Sequence, residues 1–467
     1  MAKLPSVSIK PRIAVQYVLD EARLKTVPGL SDLVKKARKA LRGMGWELTE
    51  FGPDINPDTI TSNARECAGQ YAAFIGVTFT GTSARQTAVI GAFGGPVGVW
   101  YFPDTPWWSM ASAGSGIGYL RDEARDNPAL RVAAIWGDPD AASTIEQLER
   151  FARAAHTVFA MRREKIGLIG GSYYDVMPAS NWHPDVLTNR LGPAYMEADI
   201  SLLERELEGV TNAEVSGLLR RLKNSGVRLP DDEGSLEVIG KSARVSLAIE
   251  RLQQKFSLTG VAVNCYGGPD PGGYTGVLGR CGASGCLKAH AVGSVVMGCE
   301  SDVVQCAQQM LFRHLIGVVP CMADPWKVDA RKGVLLAGTC SGPAGLAAEP
   351  GKVSIEAGTL MSLYKVGVLG VCFPEIAPAD AIVARIAGRG LDRMVVATGK
   401  FLGSDSKTMP GRLCLKVKLD DAEMFLTRGM IGNHYTFLPT RNLARDLARL
   451  EMLCDFLGIK MGSGLES

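Results

Sequence analysis

The sequence predicts an α/β protein: two Rossmann-like α/β domains followed by a β-rich, barrel-like C-terminal domain. Three observations lead there. Across the first 345 residues, short apolar runs alternate with amphipathic helical stretches, the pattern of βαβ units on a parallel sheet. At 467 residues the chain is longer than one hydrophobic core ordinarily serves. Beyond residue 345 the helices thin out and glycine-punctuated β segments take over.

In order, RIAVQYVL reads as a strand, LSDLVKKARKALRGMGW as a helix, and AAFIGVTF, GPVGVWYF and RVAAIWG as further strands, before the helix TIEQLERFARAAHTVFAM. This closes a first domain at residues 1–163. The second, residues 164–345, opens with KIGLIGG and runs through the helix ISLLERELEGV and the strand LTGVAVNCYGG. It then takes in the helical CESDVVQCAQQMLFRHLIG and ends on VVPCMADPW, a strand running into a loop. The third, residues 346–467, holds VSIEAGTLMSLYKVGVLGVCF, DRMVVATGKFLG and RLCLKVKL, with RNLARDLARLEMLCDFLG as a closing helix.

Composition excludes several classes of function. The net charge of +3, from 51 basic and 48 acidic residues, is too small for a polyphosphate footprint, so nucleic acid is not an expected partner. Neither a secretory leader nor an apolar run of roughly 18 residues is present, so a cytoplasmic protein with no membrane partner is expected. Eleven cysteines lack C-x-x-C pairing and read as reduced thiols. GGPDPGGYTG and SASAGSGIGYL are glycine-rich but fit neither phosphate-loop pattern.

Chemistry concentrates in three places. Cys299-Glu300-Ser301-Asp302 stands at a helix start, and Met322-Ala323-Asp324 at the end of a predicted strand, where open α/β sheets place ligand-binding groups. Carboxylates also suit a helix N-terminus for electrostatic reasons alone, so residue type leaves both readings open for Glu300 and Asp302. His434, one of five histidines, lies in a Gly-Asn-His turn, where an imidazole is more often solvated or hydrogen-bonded than a ligand, and spacing does not settle which.

These motifs resemble, in order and in placement, those of the L-fucose isomerase/L-arabinose isomerase superfamily. Cys299-Glu300-Ser301-Asp302 is similar to its Cys-Glu-x-Asp, Met322-Ala323-Asp324 to its second acidic motif, and Gly432-Asn433-His434-Tyr435 to its histidine motif. The resemblance implies a fucose isomerase-like fold and a divalent cation, Mn²⁺ or alternatively Mg²⁺ or Co²⁺, on Glu300, Asp324 and His434. It also implies a homo-oligomer, trimer or hexamer, with sites at subunit interfaces. A hard, oxygen-rich ligand set of this kind suits those ions and leaves positions for two sugar oxygens. Chelation of a carbonyl and its neighbouring hydroxyl favours an enediolate, and Glu300 and Asp324 would then also move the proton between C1 and C2.

The residues expected around the substrate depart from the family pattern. Gln16 stands where the family's opening strand, Pro-Lys-Ile-Gly-Ile-Arg, carries arginine, so the charge must come from elsewhere, with Arg85 a candidate or a plain loop residue. Trp107 and Trp108 suit stacking on a sugar face or burial against a neighbouring domain. Tyr173 or Tyr174, Asn264, Asn433 and, with structural roles favoured, Lys288 and His290 complete the set. The expectation is therefore an aldose–ketose isomerase acting on an open-chain pentose, hexose or substituted sugar such as sulfoquinovose. The alternative is a metal-dependent lyase or hydrolase on the same scaffold.

Overall fold

The computed structural model describes residues 9–464, apart from 82–83, 173–183, 268, 271–272, 275, 294, 348, 360–367 and 410. The chain forms two compact units, Ser8–Ala160 with Ala448–Leu457, and Met161–Leu447 with the segment from Gly458.

In the N-terminal unit the strands β1 (Arg12–Val18), β2 (Glu47–Asp54), β3 (Ala73–Thr78), β4 (Pro96–Tyr101) and β5 (Arg131–Trp136) form one parallel sheet in the order β2-β1-β3-β4-β5. All six residues of β3 (AFIGVT) are buried, as a central parallel strand covered on both faces requires. Helices such as Leu30–Gly43 do the covering, turning Leu30, Val34, Ala37 and Leu41 inward at helical spacing. The chain order reverses between β1 and β3, where a doubly wound sheet opens its crevice.

The C-terminal unit has two parts. Its parallel sheet, β11-β8-β6-β7, is built from β6 (Lys165–Ile169), β7 (Ala194–Ala198), β8 (Gly260–Val263) and, after a two-residue hairpin of β9 (Pro269–Asp270) and β10 (Gly273–Tyr274), β11 (Val296–Gly298). A barrel-like sheet follows, in the order β16-β19-β12-β13-β18-β17. It is made of β12 (Cys321–Asp329), β13 (Val334–Thr339), β16 (Ala379–Ala387), β17 (Arg393–Asp405), β18 (Leu413–Leu419) and β19 (Tyr435–Thr440). Pairing of β16 with β17 closes the ring, which removes the free edges an open antiparallel sheet would carry. β14 (Val353–Thr359) and β15 (Val368–Pro374) pair separately, and β20 (Lys460–Gly462) runs parallel to β17.

The expected strand through VVPCMADPW does not stop at a loop: β12 continues to Asp329 and belongs to the antiparallel barrel. Two strand neighbours, β13 and β19, hold its backbone in register, which a short apolar run in isolation does not reveal. Helix Val303–Ile316 joins the two parts. It is buried nearly all round, packing on β8 and β11 on one side and on β16 and β19 on the other. Its fully buried glutamine Gln308 donates to Ala384 O (2.8 Å) and Thr436 Oγ1 (2.5 Å), and its Oε1 accepts the Ile386 N–H at 2.5 Å. Gln309 donates to Met297 O at 3.2 Å. These amides fasten the helix to both sheets. Among the described residues no helix is long and apolar enough to cross a membrane.

Candidate metal centre

Glu300 follows the short strand β11. Gly298 permits the tight exit, since a Cβ there would sit 2.7 Å from the Asp302 carbonyl oxygen. The chain then places Glu300 (φ 53°) and Ser301 (φ 61°) consecutively in the left-handed region, a conformation that costs about 1–2 kcal/mol for each non-glycine residue. The turn is held by Ser301 N–H to Val263 O (2.9 Å) and Ser301 Oγ–H to Gly171 O (3.0 Å). Such local strain is characteristic of functional segments, and here it aims the Glu300 carboxylate across at the barrel.

Strand register brings the other two groups in. Ala323 of β12 faces Tyr435 of β19, which sets Asp324 and His434 side by side at the end of that pairing. Ligand atoms of Glu300, Asp324 and His434 lie within 4.8 Å of one another, the one such trio among the described residues. His434 Nε2 is 3.6 Å from Glu300 Oε2 and 3.5 Å from Asp324 Oδ1. Burial is graded: the His434 side chain is 1% exposed, Glu300 15% and Asp324 39%, so the cluster opens on the Asp324 side.

Asp302 supplies the support that sequence reasoning left as a helix-start residue. Its Oδ1 caps helix Val303–Ile316 by accepting the Gln305 N–H (2.9 Å), while its Oδ2 lies 3.0 Å from His434 Nδ1 and 3.5 Å from the Arg385 guanidinium. Arg385, wholly buried in β16, also donates to the His434 backbone carbonyl, which accepts a second bond from Gln305 Nε2 at 3.3 Å. With Nδ1–H committed to Asp302, Nε2 points into the carboxylate pair, the arrangement typical of a carboxylate-oriented ligand histidine. Arg385 escaped the sequence reading, although a lone arginine inside the apolar strand AIVARIA is a visible signal of a buried partner.

The electrostatics register the crowding. Partial burial raises the Asp324 carboxyl, the neighbouring imidazole lowers it and the Glu300 charge raises it again, leaving it at about 6. Burial pushes His434 down, but hydrogen bonds to Asp302 and Glu300 and the charges of Asp324 and Glu300 outweigh it and lift the imidazole to about 10. Asp302 is pushed up by burial and pulled well below the usual carboxylate range by Arg385 and His434. A proton held on Nε2 between two carboxylates is what a divalent cation would replace, and two hard oxygens with one imidazole nitrogen fit Mn²⁺, Mg²⁺ or Co²⁺.

The other predicted residues divide. Asn433 stands at the centre, its Nδ2 3.4 Å from His434 Nε2. Asn264 lies buried at the end of β8, where it staples loops by donating to Gly170 O (3.0 Å) and accepting Gly267 N–H (2.7 Å). Lys288 is buried in an ion pair with Glu250. His290 has a buried Nδ1 with no hydrogen-bond partner among the described residues, and burial lowers it to about 4. Tyr173 and Tyr174 lie outside the described residues.

Gln16, Arg85, Trp107 and Trp108 belong to the N-terminal unit. Gln16 is fully buried: its amide donates to Tyr17 O (3.3 Å) and accepts from Asn63 Nδ2 (3.1 Å), so it completes the polar interior beside β1. Arg85 is exposed on the short helix Ala84–Ala88. Trp107 and Trp108 line an open hollow of about 320 Å³ with Arg23, Val27, Thr80 and Gly81, beyond the carboxyl ends of β3 and β4.

No known family model matches the chain. Two curated proteins named sulfoquinovose isomerase, from Priestia aryabhattai and Priestia megaterium, are each 24% identical to it over 221 residues, 47% of this chain and 47% of the relative. The alignment thus spans about half the length of the curated relatives the chain matches.

Proposed function

We propose that the protein is a metal-dependent aldose–ketose isomerase acting on an open-chain sugar, with a sulfonated hexose of the sulfoquinovose type as its leading substrate. The convergence of Glu300, Asp324 and an Asp302-locked His434 carries this reading, and the likeness to two proteins named sulfoquinovose isomerase points to the reaction. Glu300, Asp324 and His434 would hold Mn²⁺, Mg²⁺ or Co²⁺. When bound, such an ion supplies Lewis acidity toward two adjacent sugar oxygens. Glu300 and Asp324 flank His434 Nε2 at similar distance, and in this reading one carboxylate would take the C2 proton and the other would return it at C1. Asn433 offers an amide to a sugar hydroxyl beside them. The Trp107–Trp108 hollow offers an aromatic surface of the kind that stacks on sugar rings.

The test is turnover of a panel of neutral and sulfonated aldoses by the full chain, with and without Mn²⁺, following ketose formation and solvent deuterium at C2. Metal-dependent ketose formation with deuterium supports the reading. Metal binding without any ketose, or release of a leaving group in its place, overturns it.

A further inference from the structure

Two arginines act on the metal-centre carboxylates. Arg385 binds Asp302 and the His434 carbonyl. Arg412 forms no carboxylate ion pair among the described residues: its guanidinium hydrogen-bonds Tyr266, while its buried Nε has no hydrogen-bond partner among them. A guanidinium is charged at every working pH and presents five donors, so a partly buried one with an unused Nε donor has capacity for a further acceptor.

The barrel register shows where it stands. Asp324 of β12 lies opposite Gly338 of β13, and the next residue, Thr339, lies opposite Leu413, the first residue of β18. Arg412, just ahead of β18, is therefore brought close to the row that carries Asp324. Tyr266 and Glu300 act on its charge, and its charge acts in turn on Asp324. The result is a cation beside the metal centre, set by the fold and carrying an unused Nε donor.

We propose that Arg412, positioned by Tyr266, is the oxyanion-binding residue of this site, gripping a negatively charged oxygen group of the sugar substrate. The inference rests on the isomerase reading for the identity of the ligand, though not for the existence of an anion site. The oxyanion has two sources: a permanent substituent such as a sulfonate, or the enediol oxygen that gains charge as C2 loses its proton. A planar fork matches three-oxygen anions in a two-point contact that lysine does not reproduce, and the first source is the one expected.

The experiment compares wild type with Arg412→Gln and Arg412→Lys, all as the full chain loaded with Mn²⁺. Calorimetry with inorganic sulfate as the probe reads the anion site without any turnover. The expected result is sulfate affinity about 10- to 100-fold weaker in Arg412→Gln, as for loss of a charged hydrogen bond, with part restored by Arg412→Lys. Mn²⁺ affinity should hold or tighten, because a nearby positive charge is gone; a structural role for Arg412 would weaken it. In turnover, kcat/KM for a sulfonated hexose should fall about 10- to 100-fold further than for its neutral counterpart. An equal fall in kcat for both sugars also supports oxyanion binding and assigns it to the enediol oxygen. Unchanged sulfate affinity, or sulfate and Mn²⁺ affinity lost together, overturns the proposal. Sulfate binding through Arg412 in a wild type that isomerises no aldose would sink the isomerase reading and leave this one standing.

Discussion

The two units use buried polarity in contrasting ways. Around β1 of the N-terminal unit, Gln16 and Asn63 satisfy each other, and what remains at the strand ends is an open aromatic hollow. In the C-terminal unit, the strained turn after β11 and the β12–β19 register crowd two carboxylates against an imidazole. Like charges cluster there because Asp302, Arg385 and three buried glutamines hold the backbone against their repulsion. The contrast separates a neutral amide pair beside a strand from a carboxylate cluster still short of a positive charge.

The sharpest break would come from removing a member of the crowded trio. Glu300→Gln keeps the shape and discards the charge, and turnover should fall about 10²- to 10⁴-fold, the range of a lost acid–base group. Calorimetry should show weakened Mn²⁺ binding in the same variant. Full activity in Glu300→Gln would erase the distinction between the two units. Arg385→Met tests the support directly: it takes from the buried Asp302 carboxylate one of its two positive partners, leaving His434 alone, and should cost about 3–5 kcal/mol in denaturant unfolding.

Proton linkage sharpens the comparison further. With Asp324 at about 6 and His434 at about 10, the metal-free cluster at about pH 8 carries its proton on the imidazole. Mn²⁺ uptake there should release about one proton, and about two near pH 5, where Asp324 is protonated as well. Affinity should therefore climb with pH, more steeply below 6. In the metal-free protein the sign reverses. The raised His434 value lends stability that is full below the unfolded 6.5 and is lost as pH rises through about 10. A pH-stat titration and unfolding curves at several pH values read both effects. Mn²⁺ at about 100 times its Kd should add about 2.7 kcal/mol to stability, removable by chelator.

What the sequence disclosed follows from how local each signal is. The parallel strands of the N-terminal unit are continuous apolar runs, and the observed β1, β3 and β4 lie inside the stretches that periodicity picks out. The trio was legible through motif order, and Glu300, Asp324 and His434 do meet in space. The reason for placing Asp324 was different: it was expected at the carboxyl end of a sheet strand, but lies within antiparallel β12 beside β19. That pairing joins residues more than 100 positions apart, beyond any local pattern. Asp302, Arg385 and Arg412 likewise gain meaning only from partners far off in the chain, 83 positions in the case of Asp302 and Arg385. The Gln16 partner is hidden for the same reason, since Asn63 sits on a helix no strand motif contains.

The smallest effect expected lies back in the N-terminal unit. Trp108 is 75% exposed and held at φ 59°, a left-handed conformation that suits glycine and strains a bulky residue. Trp108→Gly should therefore leave the fold as stable, or stabilise it by up to about 1 kcal/mol, unless the indole's packing along the hollow offsets the relief. A residue kept at a conformational cost on an open surface suits a binding role, so the same variant should raise KM for a sugar while leaving Mn²⁺ affinity untouched. A variant that is more stable and equally active would mark the hollow as mere surface. Equal losses of stability and of Mn²⁺ affinity would show the two units to be more tightly linked than their separate cores suggest.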